Sequence, residues 1–168
     1  MGQGHQLFGK NHVARKIAGG WQINGVATAQ RGFPLSLSTS VNQTNSYGGG
    51  SRPNNNGISA ALSGPVEDRL NRYFDTSVFS QPAAFTFGNV ARMLADVRSP
   101  GLVNFDFSVF KNTRIVERYN VQFRAEAFNA LNHPNFSGPS LTFGAGGFGS
   151  IGGTGPARLM QLALKFLF

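Results

Sequence analysis

The sequence lacks features on which several fold classes depend. It has no cysteine, which excludes disulfide bridges and thiolate metal sites. Charged residues make up only 13% of the 168 residues, against the ~25% that is usual in soluble globular domains. No apolar run approaches the ~18 residues that a membrane-spanning helix requires. These absences exclude a disulfide framework and a helical membrane span.

Glycine and phenylalanine are abundant instead, at 22 and 16 residues, and asparagine, serine and threonine fill much of the remainder. The formal charge is +8, but the basic residues are scattered singly rather than clustered. Aromatic and basic residues also fall on opposite strand faces, as Phe123 and Arg124 do, so nucleic-acid binding is not expected. This composition suits the surface of a β-barrel better than a helical enzyme.

The last eleven residues, 158–168, alternate between apolar and more polar side chains. Successive side chains of a strand point to opposite faces, so one face of this stretch is uniformly apolar. Chain termini are usually frayed and polar, whereas this row ends on an aromatic residue. A strand that lies in a bilayer with its apolar face toward lipid accounts for the pattern. The apolar row consists of Met160, Leu162, Leu164, Phe166 and Phe168.

The same alternation predicts strands at residues 21–30, 102–110 and 119–127. The first of these has about the ~9–11 residues that a tilted membrane strand requires. Trp21 at its start suits an aromatic belt at the membrane interface. The second and third strands read as a hairpin whose short polar connection covers residues 112–118.

Two long segments lack this alternation. Residues 39–100 begin with an Asn-, Ser- and Gly-rich run and are interpreted as a long extracellular-type loop. Residues 132–157 form a second, Gly-rich loop. Residues 33–38 could extend the first strand, with Pro34 marking an edge or bulge. Long loops on one side and short turns on the other are typical of bacterial barrels.

Four charged residues share the polar positions of their strands. Charges of both signs on one face can pair across neighbouring strands. An arginine that faced lipid near the membrane midplane would cost ~2–4 kcal/mol. We therefore predict that these side chains face a lumen: Asp106, Arg124, Glu126 and Lys165.

No motif points to catalysis, a metal or a cofactor. Residues 144–149 (GAGGFG) fit the dinucleotide-binding pattern by letter. That fingerprint requires a following helix and an acidic residue ~20 positions on, and no acidic residue follows Glu126. His5, His12 and His133 have no metal-ligand spacing, and the Glu67-Asp68 pair is expected to be solvated in a loop. We expect no enzyme activity, no cofactor and no metal site.

Three stretches carry a resemblance to a known family: residues 20–34 (GWQINGVATAQRGFP), 107–112 (FSVFKN) and 121–136 (VQFRAEAFNALNHPNF). With the last strand ending on Phe168, they resemble the carboxyl end of TonB-dependent outer-membrane receptors. The most similar branch is the Oar-like group, which carries a carboxypeptidase-regulatory-like domain at its amino end. The resemblance implies a location in the bacterial cell outer membrane, in contact with its lipid.

The resemblance also implies an architecture and partners. Residues 1–168 would form a single segment, the last four to five strands of a plugged barrel of roughly 22 strands. This antiparallel, all-β transmembrane segment would be an open sheet in isolation. Such receptors import bulky ligands with energy passed through TonB, and the plug and amino-terminal domain are absent here. The row from Met160 to Phe168 would be the signal read by the barrel-assembly machinery.

The amino terminus supports the same interpretation, because residues 1–10 have no apolar core of a signal peptide. A chain destined for the outer membrane needs one, so we expect this sequence to be a piece of a longer protein, or its start not to be the native one. The alternative is a soluble β-sandwich that serves in ligand binding or adhesion. The sandwich requires the apolar rows to pack against each other within the chain. The barrel requires them to remain exposed, where they can contact lipid.

Overall fold

The computed structural model describes residues 16–47, 50–116 and 119–168. The fold is all-β, as predicted, apart from a helical turn at residues 16–18 and a 3₁₀ turn at Glu67–Arg69. Within the described ranges, no helix has the length and apolar character to cross a membrane. The strands are β1 (Trp21–Gln30), β2 (Ser38–Thr39), β3 (Asn54–Asn55), β4 (Phe79–Ser80), β5 (Leu102–Val116), β6 (Tyr119–Phe128), β7 (Thr142–Phe143) and β8 (Leu159–Leu167).

The four long strands form one antiparallel sheet in the order β1-β5-β6-β8. Phe107 pairs with Ala127 at one end of the β5–β6 ladder, and Val116 pairs with Tyr119 at the other. The β6–β8 ladder runs from Asn120 opposite Leu167 to Phe128 opposite Leu159. The sheet does not close on itself, because β1 and β8 are its two edges.

Strands β1 and β5 are also antiparallel. The amide of Asn112 donates to the carbonyl oxygen of Gly20 at 2.8 Å, and Gly25 lies against Phe105 further along the pair. Each long strand therefore reverses the direction of the one before it. As a result, the connections β1–β5 and β6–β8 leave from one end of the sheet and the short β5–β6 connection from the other.

Two boundaries differ from the sequence prediction. The polar stretch predicted as a connection at 112–118 belongs to β5 as far as Val116, because Asn112 pairs with Gln122 and Thr113 with Val121. Residues 33–38 do not extend β1, which ends at Gln30. Pro34 makes only an isolated bridge with Arg98, since a proline has no amide hydrogen to continue a ladder. The short apolar pair Leu7-Phe8, which indicates the end of a strand, lies outside the described residues.

The chain divides into two compact units. Unit 1 comprises residues 1–28, 104–133 and 157–168 and holds most of the sheet; unit 2 comprises residues 29–103 and 134–156. The segment interpreted as a loop, 39–100, supplies most of a hydrophobic core within unit 2. The core residues are Leu35, Leu37, Ala60, Tyr73, Phe74, Val78, Phe79, Val90, Leu94, Val97 and Ile151.

An aromatic cluster organises the core of unit 2. Phe74 is fully buried, and its ring meets those of Phe79 and Phe148 edge to face at 6.0 and 5.3 Å. Phe143 meets Phe148 at 5.4 Å. Burying a phenylalanine stabilises by about 1.5–3 kcal/mol, so these contacts order a segment with little regular secondary structure. The residues 144–149 form turns at this cluster, with positive φ at Gly144 and Gly147.

The apolar rows of the sheet, in contrast, are open. Ile23, Leu162 and Phe166 remain 65%, 71% and 64% exposed. A soluble sandwich would bury such residues under a second layer of the same chain. The described residues provide no such layer, so the structure favours the open membrane sheet over the soluble alternative.

Candidate functional site: the two faces of the sheet

The pairing register assigns the strand residues to two faces. Side chains directly opposite each other in an antiparallel ladder lie on the same face. Phe123 is opposite both Lys111 and Leu164, and Ala125 is opposite both Val109 and Leu162. One face, named the apolar face here, thus carries Trp21, Ile23, Phe105, Phe107, Val109, Val121, Phe123, Met160, Leu162, Leu164 and Phe166.

The apolar face contains the predicted terminal row. Met160, Leu162, Leu164 and Phe166 lie in β8, on an edge of the sheet with no strand beyond it among the described residues. Phe168 follows the end of β8 and is almost fully exposed. The structure thus places the row on an edge strand whose outer side pairs with no described strand, where another strand could add to it. Its role as an assembly signal stays a prediction.

One cation, Lys111, lies on the apolar face. Its Nζ donates to the carbonyl oxygens of Lys16 and Ile17, at 2.6 and 3.0 Å, and to that of Gly19. The same ammonium group lies 5.2 Å from the centre of the Trp21 ring. Trp21 is fixed in turn, because its Nε1 donates to the carbonyl oxygen of Ile17 at 2.9 Å. Tryptophan and lysine anchor membrane proteins at the interface, where a charged end can reach polar groups.

The position of Lys111 matches the depth of a membrane. At a rise of ~3.3 Å per residue and a tilt of ~40°, the stretch from Leu102 to Lys111 covers roughly 23 Å along the membrane normal. The apolar band of outer-membrane barrels is ~25 Å tall. Lys111 and Trp21 therefore lie where the interface on the short-connection side is expected. Sequence reasoning found Trp21 but missed Lys111, whose position opposite Phe123 is set by the register.

The opposite face, named the polar face here, carries all four predicted charges. Arg124 and Glu126 form an ion pair at 3.0 Å, and Gln161 on β8 donates to the second carboxylate oxygen of Glu126. The guanidinium carbon of Arg124 also lies 4.7 Å from the centre of the Phe110 ring on β5. The group therefore links three neighbouring strands through hydrogen bonds and a cation–π contact.

The other two charges do not join this group. Asp106 accepts hydrogen bonds from Asn104 Nδ2 and from the amide of Asn129, both at 2.9 Å. It holds the end of β6, where Asn129 adopts a positive φ. Lys165 lies opposite Gln122, whose side chain binds that of Asn112 at 2.8 Å. The four charges share a face in the structure; that this face borders a lumen stays a prediction.

The remaining polar candidates of the sequence, the histidines and the Glu67-Asp68 pair, do not come together in one site within the described residues. The amide of His133 donates to Asn129 Oδ1 and its carbonyl accepts from Asn129 Nδ2, both at 2.9 Å, which closes a turn after β6. Glu67 and Asp68 are exposed in the 3₁₀ turn. Within the ranges that the structure covers, no three His, Asp or Glu side chains group to hold a metal ion. His5 and His12 lie outside the described residues.

Comparison with known proteins identifies one family. A family model described as "Outer membrane beta barrel domain" matches residues 1–161, nearly the whole chain. Searches of the curated proteins and of the solved structures found no significant match.

Proposed function

The chain belongs to the outer membrane β-barrel domain family, and on this premise we propose that it forms part of a TonB-dependent receptor of the Oar-like branch. Its sheet is barrel wall in the bacterial outer membrane. We further propose that the complete receptor takes up a bulky ligand. The chain itself performs no chemistry in this proposal.

The observation that carries the proposal is the open, two-faced sheet. Four strands cannot close a barrel, since the smallest membrane barrels have about eight. Both edges, β1 and β8, therefore need further strands, because unpaired backbone groups are costly in hydrocarbon. We propose that a larger barrel supplies them and that β8 pairs with the first strand of that barrel.

The proposal assigns a role in the receptor to each face of the sheet and to the connections between its strands. The apolar face would contact outer-membrane lipid, and the polar face would line a lumen wide enough for a plug. The row from Met160 to Phe168 would be recognised by the barrel-assembly machinery. The TonB system would act through a plug that belongs to an amino-terminal part of the protein. Both long connections leave from one end of the sheet, as the extracellular loops of a barrel do.

The test measures the uptake of compounds by cells that lack either this protein or TonB, the source of the energy for uptake. Three strains are compared: the wild type, one without the gene for this protein and one without TonB. Depletion of compounds from a rich medium is measured for each by mass spectrometry. We expect a compound whose uptake is lost in both deletion strains and restored by the gene alone only where TonB is present. Uptake that requires this protein but continues without TonB would indicate a passive pore instead.

A further inference from the structure

Three arginines line one groove within unit 2. The groove has a volume of about 300 Å³ and is bordered by Arg31, Arg69 and Arg98, together with Tyr73 and Asp96. Ligand pockets usually fall between ~300 and ~1,000 Å³, so this space is large enough for a small polar group. We call this site the arginine groove.

Two of the chain segments that line the arginine groove are held side by side. The amide of Ser99 donates to the carbonyl oxygen of Phe33 at 2.8 Å, and the amide of Phe33 donates to Ser99 Oγ at 3.0 Å. Gly32 can lie this close to the segment of Ser99 only because it has no side chain. A Cβ on Gly32 would collide with the carbonyl of Ser99. This close approach brings Arg31 and Arg98 to the same groove.

Two of the three guanidinium groups are fixed by main-chain carbonyls. Arg69 Nη1 donates to the carbonyl oxygens of Leu62 and Tyr73, at 2.8 and 3.0 Å. Arg98 Nη1 donates to the carbonyl oxygen of Gly32 at 2.9 Å. A guanidinium group has five N–H donors, so both arginines retain donors after these bonds are made. Groups fixed before a ligand arrives lose less entropy on binding.

Tyr73 braces both arginines. Its ring lies 4.9 Å from the guanidinium carbon of Arg69, and its hydroxyl donates to the carbonyl oxygen of Arg98 at 2.7 Å. Burial raises the pKa of the Tyr73 phenol, and the Arg69 charge lowers it by a smaller amount. The hydroxyl therefore keeps its proton and this hydrogen bond at neutral pH.

The positive charge of the groove is not balanced within the part of the chain that the structure describes. Asp96 is the one carboxylate among the lining residues, and it accepts a hydrogen bond from Ser59. None of the three arginines forms an ion pair with a described carboxylate. Three guanidinium groups against one carboxylate leave a formal excess of two positive charges. A phosphate monoester carries about −1.5 to −2 charges at neutral pH, whereas a carboxylate carries one.

We propose that the arginine groove binds the phosphoryl group of an organophosphate. Guanidinium groups match phosphate oxygens in charge and in geometry, and each can donate two parallel hydrogen bonds. The phosphoryl group can belong to a soluble phosphorylated ligand or to a phosphorylated lipid of the outer leaflet. The site does not depend on TonB-driven uptake and can be tested separately from it.

The first experiment measures binding by the intact protein in detergent. Titration calorimetry uses glucose 6-phosphate as the probe, with glucose and glucuronate as neutral and carboxylate counterparts. Arg31→Gln is the primary variant, because the exposed Arg31 side chain makes no hydrogen bond or ion pair within the described ranges and its loss should not disturb folding. Arg92→Gln is the matched control, an exposed arginine of unit 2 that does not line the groove. Arg98→Gln, checked for folding by protease resistance, is the second variant.

The second experiment tests the lipid source. The protein is placed in phosphatidylcholine nanodiscs with bisphosphorylated or dephosphorylated lipid A, and retained lipid is measured by native mass spectrometry. Binding of glucose 6-phosphate or retention of phosphorylated lipid A alone would each support the proposal and would identify the source. Arg31→Gln should weaken that binding about tenfold, as loss of a charge-assisted hydrogen bond predicts, and Arg92→Gln should not. The proposal is overturned if glucose 6-phosphate binds no better than glucuronate and both lipids are retained equally, or if Arg31→Gln has no effect on the binding that is observed.

Discussion

The ammonium group of Lys111 lies over the ring of Trp21, 5.2 Å from its centre, on the apolar face of the sheet. The two residues are far apart in sequence and belong to neighbouring strands, β1 and β5. Both bind the carbonyl oxygen of Ile17, at 3.0 Å from Lys111 and 2.9 Å from Trp21. The pair therefore holds the main chain of residues 16–19, just before β1, against the end of the sheet.

Lys111→Met should destabilise the barrel. The substitution keeps an apolar stem but removes three hydrogen bonds to main-chain carbonyls. Bonds to charged groups contribute about 1.5–3 kcal/mol where buried, and these are exposed, so a loss of about 1–2 kcal/mol is expected. Urea unfolding in lipid vesicles, followed by Trp21 fluorescence, measures it. Lys165→Met is the control, because within the described ranges the Lys165 side chain donates no hydrogen bond to a main-chain carbonyl. Equal losses in both variants would contradict an anchoring role for Lys111.

Arg124→Leu should also destabilise the barrel, and the loss should depend on Glu126. The guanidinium group of Arg124 contacts Glu126 and the Phe110 ring, and its removal leaves the carboxylate with Gln161 alone. Partly exposed ion pairs are worth little, so a small stabilising coupling is expected. A double-mutant cycle with Glu126→Gln, read from unfolding free energies, isolates this coupling. A coupling of zero would mean that the pair contributes nothing to the wall.

A separate substitution tests which face meets lipid. Leu162→Arg puts a charge on the apolar face, and Ala163→Arg puts the same charge on the polar face opposite Arg124. An arginine that faces lipid near the midplane costs ~2–4 kcal/mol, so Leu162→Arg should be the more destabilising by about 2 kcal/mol. Unfolding in lipid vesicles compares the two variants. The reverse order would exchange the assignment of the faces.

Deletion of Phe168 should reduce assembly in the outer membrane. Phe168 ends the apolar row just after the edge strand β8 and packs against little else, since it is 98% exposed. Its loss should therefore leave the fold of the wall intact while removing the proposed recognition element. Surface labelling of the intact protein in cells measures the assembled amount, with Phe168→Tyr as the conservative control. Normal surface levels after the deletion would argue against the signal.

Gly32→Ala should disrupt unit 2 locally. An added Cβ would collide with the carbonyl of Ser99, and main-chain atoms cannot move aside without breaking the pairing of the two segments. Overpacking of this kind typically costs about 1–3 kcal/mol. Hydrogen exchange of residues 30–37 and 94–101 should rise. Gly152→Ala is the control, because a Cβ there would meet open space. Unchanged exchange in Gly32→Ala would show that the backbone can adjust.

The sequence by itself determined the four long strands, their faces and the membrane class. Alternation with a period of two is a local signal, and each strand of the wall carries it independently of its neighbours. Hence β1 was predicted with its observed bounds, and β6 and β8 to within a residue or so. The end of β5 was missed, because the polar residues from Asn112 onward are held in the strand by their partners on β6 and not by their own pattern.

Only the tertiary structure decided that residues 39–100 contribute a hydrophobic core. Their apolar residues, such as Tyr73, Phe74 and Val90, follow neither a helical nor a strand period, so local patterns predicted a loop. They become a core because residues distant in sequence, including Leu35 and Ile151, close around them. The arginine groove has the same origin. Arg31, Arg69 and Arg98 are scattered single charges in the sequence, and contacts between distant parts of the chain bring them to one site.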